Sequence, residues 1–125
     1  MPDQPSGLLL IARPGRLRAS LPVFLKSLFP NIFIVLEDEK LVISEIFSND
    51  FKWFVLVDAD LTDNQGWQIA EEINRLYPEY SMLLLINHSS QMNQANKIGI
   101  NALLMDGMSA KELTEFFTAF INPDG

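Results

Sequence analysis

The chain has 125 residues, 48% hydrophobic and 20% charged, with seven prolines and six glycines spread along it. Size and composition describe one globular domain able to bury roughly two-thirds of its unfolded surface, and they exclude disordered, collagen-like and low-complexity architectures. Having no cysteine excludes disulfides, thiolate metal sites and cysteine nucleophiles; a single histidine leaves no His-rich metal centre; and a formal charge of −7 opposes a phosphate backbone, so no direct nucleic-acid binding is expected.

In chain order, residues 1–7 read as a polar lead-in, residues 8–122 as one domain and residues 123–125 as a tail. Leu8 to Ala12 is a short apolar run without alternation, the pattern of a strand buried on both faces. After the Arg13-Pro14-Gly15 turn, Leu17, Leu21, Phe24, Leu25 and Leu28 recur at helical spacing. Pro22 leaves two versions of that helix, one starting near Ser20 with proline in its first turn and one kinked at Pro22. Ile32 to Leu36 is a second buried strand, and Glu37-Asp38-Glu39 suits the first turn of a helix through Phe47. Trp53 to Val57 is strand three, ending at Asp58. Past Gly66, Trp67, Ala70, Ile73, Leu76 and Tyr77 make a helical stripe that stops at Pro78. Met82 to Ile86 is strand four, and Ser90 to Ile98 a polar helix with only Met92, Ala95 and Ile98 to bury. Ala102 to Met105 is strand five. Ser109 and Glu112 have capping-box spacing and open a last helix carrying Leu113, Phe116, Phe117, Phe120 and Ile121.

Five strands alternating with five helices predict an α/β fold: a doubly wound, five-stranded parallel sheet covered on both faces, flavodoxin-like in topology. Its ligand site belongs at the carboxyl ends of the strands. The longest apolar runs fall far short of a membrane span, and no basic stretch precedes a cleavable apolar segment, so neither membrane nor secretion is expected and the protein is placed in the cytoplasm.

The residues following the strands are Arg13, Glu37-Asp38, Asp58, Asn87-His88 and Asp106. Together with the segment LVDADLTDNQGWQIAEEI, in which an apolar strand ends at Asp58 and Gly66 follows eight residues later, and the segment IGINALLMDGMSAKEL from residue 98, they make the chain resemble the receiver (CheY-like) domain of two-component response regulators. The resemblance runs from Leu8 to Ile121. It implies that Asp58 stands where receivers accept a phosphoryl group from a histidine kinase, with Mg²⁺ neutralising the incoming charge.

Several positions depart from the family pattern. The acidic pair that holds Mg²⁺ after strand one is replaced by Ala12-Arg13-Pro14, so Arg13 could instead pair with Asp58. The hydroxyl residue after strand four falls on Asn87, the lysine-proline pair after strand five on Asp106-Gly107, the aromatic switch residue on Leu103, and the proline after the acceptor on Thr62. The stretch from Asn87 to Gly99 is about one helical turn shorter than usual. These departures imply a pseudo-receiver: a non-enzymatic regulatory module, with no catalytic residues and no cofactor, acting through a protein partner or homodimer at the face of the fourth helix, fifth strand and last helix. An output domain often follows such domains. The alternative is a working phospho-receiver that binds Mg²⁺ through Asp58 with Asp60 or Glu37. A second alternative is a small-molecule or anion site on the Arg13 and Asn87 rim.

Other signals carry less. Asp58, Asp60 and Asp63 lack the glycine and glutamate of a calcium loop. Asn87-His88-Ser89 is a formal glycosylation sequon without a secretory context, and His88 has no partner at catalytic spacing. The last helix's phenylalanines suit a core, and Arg13, Arg16 and Arg18 suit a solvated helix start.

Overall fold

The structure is a computed structural model that describes residues 4–61 and 64–122. The expectations placed on residues 1–3, on Thr62 and Asp63 and on residues 123–125 therefore lie outside the described residues. In chain order the elements are β1 (Ser6–Ile11), α1 (Arg16–Leu28), β2 (Phe33–Glu37), a 3-10 turn (Ile43–Glu45), β3 (Lys52–Asp58), α2 (Gln65–Leu76), β4 (Ser81–Ile86), α3 (Ser90–Lys97), β5 (Ala102–Leu104) and α4 (Ala110–Ile121). All strand pairs are parallel, in the order β2-β1-β3-β4-β5. The chain steps from β1 outward to β2, then returns past β1 to β3, so the strand order reverses between β1 and β3 and opens a crevice at their carboxyl ends.

Alternation along the central strands builds two cores. Leu9, Ile11, Val55, Val57, Leu84 and Ile86 face α2 and α3 with Trp67, Ala70, Ile73 and Ala95. Leu8, Leu10, Phe54, Leu56, Leu83 and Leu85 face α1 and α4 with Leu21, Leu25, Phe117 and Ile121. Strands buried on both faces need no polar side chains, and among the described residues no polar or charged side chain is fully buried.

Two expectations are corrected. The helix expected from Glu37 through Phe47 does not form. The Lys40 amide is taken at 2.9 Å by the Asp38 carboxylate and the Leu41 amide by the Asp38 carbonyl at 3.2 Å, a local turn that competes with helix, and the branched Val42-Ile43 pair follows it. Four α-helices remain, and Leu41, Ile43, Ile46, Phe47 and Phe51 pack as a loop against the α2-side core. The second correction concerns strand two, expected to be buried on both faces. β2 is an edge strand with Phe33 and Leu36 exposed, and Phe33 stacks on Phe51 with ring centroids 4.8 Å apart.

The α1 alternative is also decided. The helix starts at Arg16, not Ser20, and Pro22 sits inside it between the buried Leu21 and Leu25. Proline removes the donor for the Arg18 carbonyl, a loss set against the apolar surface buried on either side of it. α4 opens with the full capping box: the Glu112 amide donates to Ser109 Oγ and the Ser109 amide to Glu112 Oε1, both at 3.1 Å. No helix among the described residues is long and apolar enough to cross a membrane.

Phe117 is fully buried between α4 and the sheet and sits edge-on to Phe24. Phe117→Ala should lower the unfolding free energy by about 3–5 kcal/mol in urea titration, because a large side chain is lost from a site closed on all sides.

Candidate functional site

The crevice at the strand ends holds a cavity of about 150 Å³ lined by Asp58, Asp60, Asn87 and Asp106, over an apolar floor of Leu17, Leu85, Ile86 and Met105. β3 carries Asp58 as its last residue, held in register by the Ala59 amide donating to the Leu85 carbonyl at 2.9 Å. The chain then turns. The Asp60 amide donates to Asp58 Oδ1 at 3.0 Å, so the Asp58 carboxylate closes the turn that leads away from its own strand. Asn64, in the left-handed region at φ 61°, brings the chain into α2.

Gly66 explains the eight-residue spacing seen in the sequence. A Cβ there would collide with the Asp58 carbonyl oxygen and stand 3.2 Å from the Ala59 Cα. Only a residue without a side chain lets the first turn of α2 lie directly on the backbone beneath Asp58.

The Asp58 carboxyl is half-buried, and burial pushes its pKa up from the ordinary 3.8. The Asp60 amide opposes that shift by stabilising the ionised form, and the Asp60 charge reinforces it. Asp106, exposed after β5, also lines the cavity.

The remaining residues singled out in the sequence lie elsewhere. Arg13 is exposed on the β1–α1 loop, and the Arg18 guanidinium donates to the Ala12 carbonyl at 3.3 Å. Glu37 pairs with Ile11 at the end of β2, on the far side of β1 from β3, two strand spacings or about 10 Å of backbone from Asp58. Glu37 therefore does not join Asp58 and Asp60, and among the described residues no three His, Asp or Glu side chains are grouped to hold a metal ion. Leu103 lies opposite Leu85 and is buried in the α1-side core, so it is a core residue and not a rim residue. His88 is exposed.

Residue-type reasoning misses Gln91, whose Oε1 accepts from the amides of both Asn87 and His88 at 2.8 and 3.1 Å. The available signal was a glutamine in the first turn of α3, where a side-chain acceptor can reach back to main-chain amides ahead of the helix.

No protein-family model matches the sequence, and no curated protein sequence matches it. Solved structures do match in fold. A two-component response regulator from Clostridium difficile superposes with a TM-score of 0.73 at 20% identity, covering 96% of this chain and 99% of that one. The CheY-like receiver domain from Methanospirillum hungatei JF-1 gives 0.73 at 17% identity over 95% of each chain. The response regulator DrrB of Thermotoga maritima gives 0.68 at 15% identity, with 96% of this chain aligned to 54% of that chain. The architecture is thus the receiver fold, as the resemblance implied, with four α-helices where five were expected.

A fold of this kind implies Mg²⁺ beside the strand-three carboxylate, and the donor set here does not fit it. The end of β1 presents Ala12 and Arg13 in place of carboxylates, and an Asp58 oxygen is already engaged by the Asp60 amide. Among the described residues, a small cation that demands octahedral oxygen ligation finds too few converging donors.

Two outcomes follow from this geometry. Gly66→Ala should destabilise the domain by about 1–3 kcal/mol in chemical denaturation, with the largest amide shifts at residues 58–60, since the added methyl must push α2 off the β3 end. Asp58→Asn should raise the melting temperature near neutral pH. The sign follows from the raised pKa: ionising the half-buried carboxyl costs more in the folded state than in the unfolded one, so the penalty is present above the folded pKa and vanishes as pH falls below 3.8. The gain from Asn should accordingly shrink to nothing in acid, measured by melting curves across pH.

Proposed function

We propose that this domain is a signalling module of the receiver fold that transmits a regulatory state through protein contacts and not through phosphoryl transfer to Asp58. One observation carries this reading: Asp58 shares its cavity with Asp60 and Asp106, and the described lining residues include no lysine or arginine. Phosphorylation would turn the Asp58 carboxylate into a dianionic acyl phosphate beside Asp60, in a cavity that Asp106 also lines. Phosphoryl transfer depends on cations that neutralise this charge. The same charge disfavours an anion ligand on this rim, the second alternative from the sequence. No catalytic pair is assigned: the one histidine, His88, is exposed, and among the described residues no nucleophile is paired with its side chain.

The contact surface in this reading is the cleft where α3 and α4 flank the edge strand β5. It measures about 320 Å³ and is lined by Met92, Ala102, Phe116 and Phe120, with Asn96 and Asn101 at its mouth. Phe116 and Phe120 stack with centroids 6.2 Å apart, a rigid aromatic pair, and Met92 supplies an adaptable wall. An apolar side chain of a partner protein, of an attached output domain or of a second copy suits this lining. The phosphorylated alternative keeps Asp58 as acceptor, with the histidine kinase as partner and Asp60 as an improvised Mg²⁺ ligand.

Amide NMR spectra with and without Mg²⁺ and beryllofluoride, with Asp58→Asn as control, separate the two. The expected result is an unchanged spectrum. Shifts around Asp58 and along α3 that disappear in Asp58→Asn would overturn the proposal and restore a phosphorylation switch.

A further inference from the structure

The connection between β4 and α3 is tied by a single side chain. Two main-chain donors, the amides of Asn87 and His88, converge on Gln91 Oε1 at 2.8 and 3.1 Å, and the Gln91 amide returns a bond to the His88 carbonyl at 3.0 Å. α4 opens with a full capping box through Ser109 and Glu112; the residue before α3, Ser89, makes no side-chain cap, and Gln91, the second residue of the helix, reaches back to the amides of residues 87 and 88 instead.

Packing alone holds α3 weakly. Within its eight residues only Ala95 is buried, and Met92 is half-buried. The carboxyl end of the helix is fixed: the Ile100 amide donates to the Ala95 carbonyl at 3.0 Å, Ile100 is itself buried, and Gly99 at φ 74° makes the turn between them. The amino end depends on Gln91. Met92, the next residue, forms a wall of the cleft beside β5, and Asn87, whose amide Gln91 holds, lines the cavity at Asp58. One side chain therefore links the strand-end cavity to the cleft.

We infer that Gln91 is a latch that holds the amino end of α3 against β4, and that its release, with the helix pivoting about Gly99, is the step that reshapes the α3–β5–α4 cleft. The regulatory meaning of that step rests on the function proposed above; the latch itself does not. Solvent-exposed neutral hydrogen bonds exchange readily with water or with a partner's acceptor, and two of them are enough to bias a helix with so little apolar anchoring.

Native-state amide hydrogen exchange on the full chain tests it with Gln91→Ala and Gln91→Glu near neutral pH. In Gln91→Ala the α3 amides should exchange about tenfold faster, with β3 and α4 unchanged, as local opening predicts. Gln91→Glu should keep wild-type rates, since it retains the acceptor and places a carboxylate at a helix amino end. The latch is overturned if α3 rates in Gln91→Ala stay within about twofold of wild type, if both variants accelerate alike, or if protection falls equally across β3 and α4. No arm of this experiment involves Asp58 or a partner. Its failure would leave the cleft reading standing, and a beryllofluoride response would leave the latch standing.

Discussion

The complete burial of β1 and β3 on both faces is the constraint from which the rest of the domain follows. Leu8 to Ala12 and Trp53 to Val57 are all removed from water. Strands in that position can pair their backbone groups only with neighbouring strands, and their side chains only with cover on each side. Polar chemistry is thereby pushed off the sheet and concentrated where the strands stop. Asp58 is half-buried for that reason. It is the first residue past the apolar run, close enough to the core to lose part of its hydration and far enough out to keep the rest.

The two faces are covered differently. α1 and α4 close one with a compact apolar layer around Leu25 and Phe117. The other is closed by α2, the sparsely anchored α3 and the loop that replaces a helix between β2 and β3. In that loop aromatic contacts substitute for helical packing: Phe47 meets Tyr77 at 4.8 Å and Tyr80 at 4.9 Å, and Phe51 meets Trp53 at 5.5 Å. β2, at the edge of the sheet, leaves Phe33 and Leu36 partly in contact with water. Apolar anchoring is greatest in β1, β3 and α2 and least in α3, where only Ala95 is buried.

At the strand ends the receiver fold is kept while its electrostatics are rearranged. Carboxylates that would converge on a cation beside β1 are absent, and Asp106 adds negative charge on the β5 side. Hydrogen bonds within the chain take over positions that a ligand would otherwise fill: the Asp60 amide occupies Asp58, and Gln91 occupies the amides after β4. In the function proposed above, these internal bonds are set beside the neighbouring cleft as the contact surface.

The order and type of the strands, four of the helices, the Ser109 cap and the position of Asp58 were legible from the chain alone. Each depends on local signals: apolar runs, helical periodicity and turn residues within a few positions of one another. The need for glycine at residue 66 was visible as a spacing but not as a cause, since the colliding atom belongs to the Asp58 carbonyl. The lost helix after β2 was misjudged because acidic residues and apolar periodicity there also fit a turn closed by Asp38. Which strand-end residues meet was beyond the sequence. β1 lies between β2 and β3, which separates Glu37 from Asp58, and the register of β5 turns Leu103 into the core while Asp106 reaches the cavity. Proximity across a sheet is set by strand order and register, and those are decided only when the whole core packs.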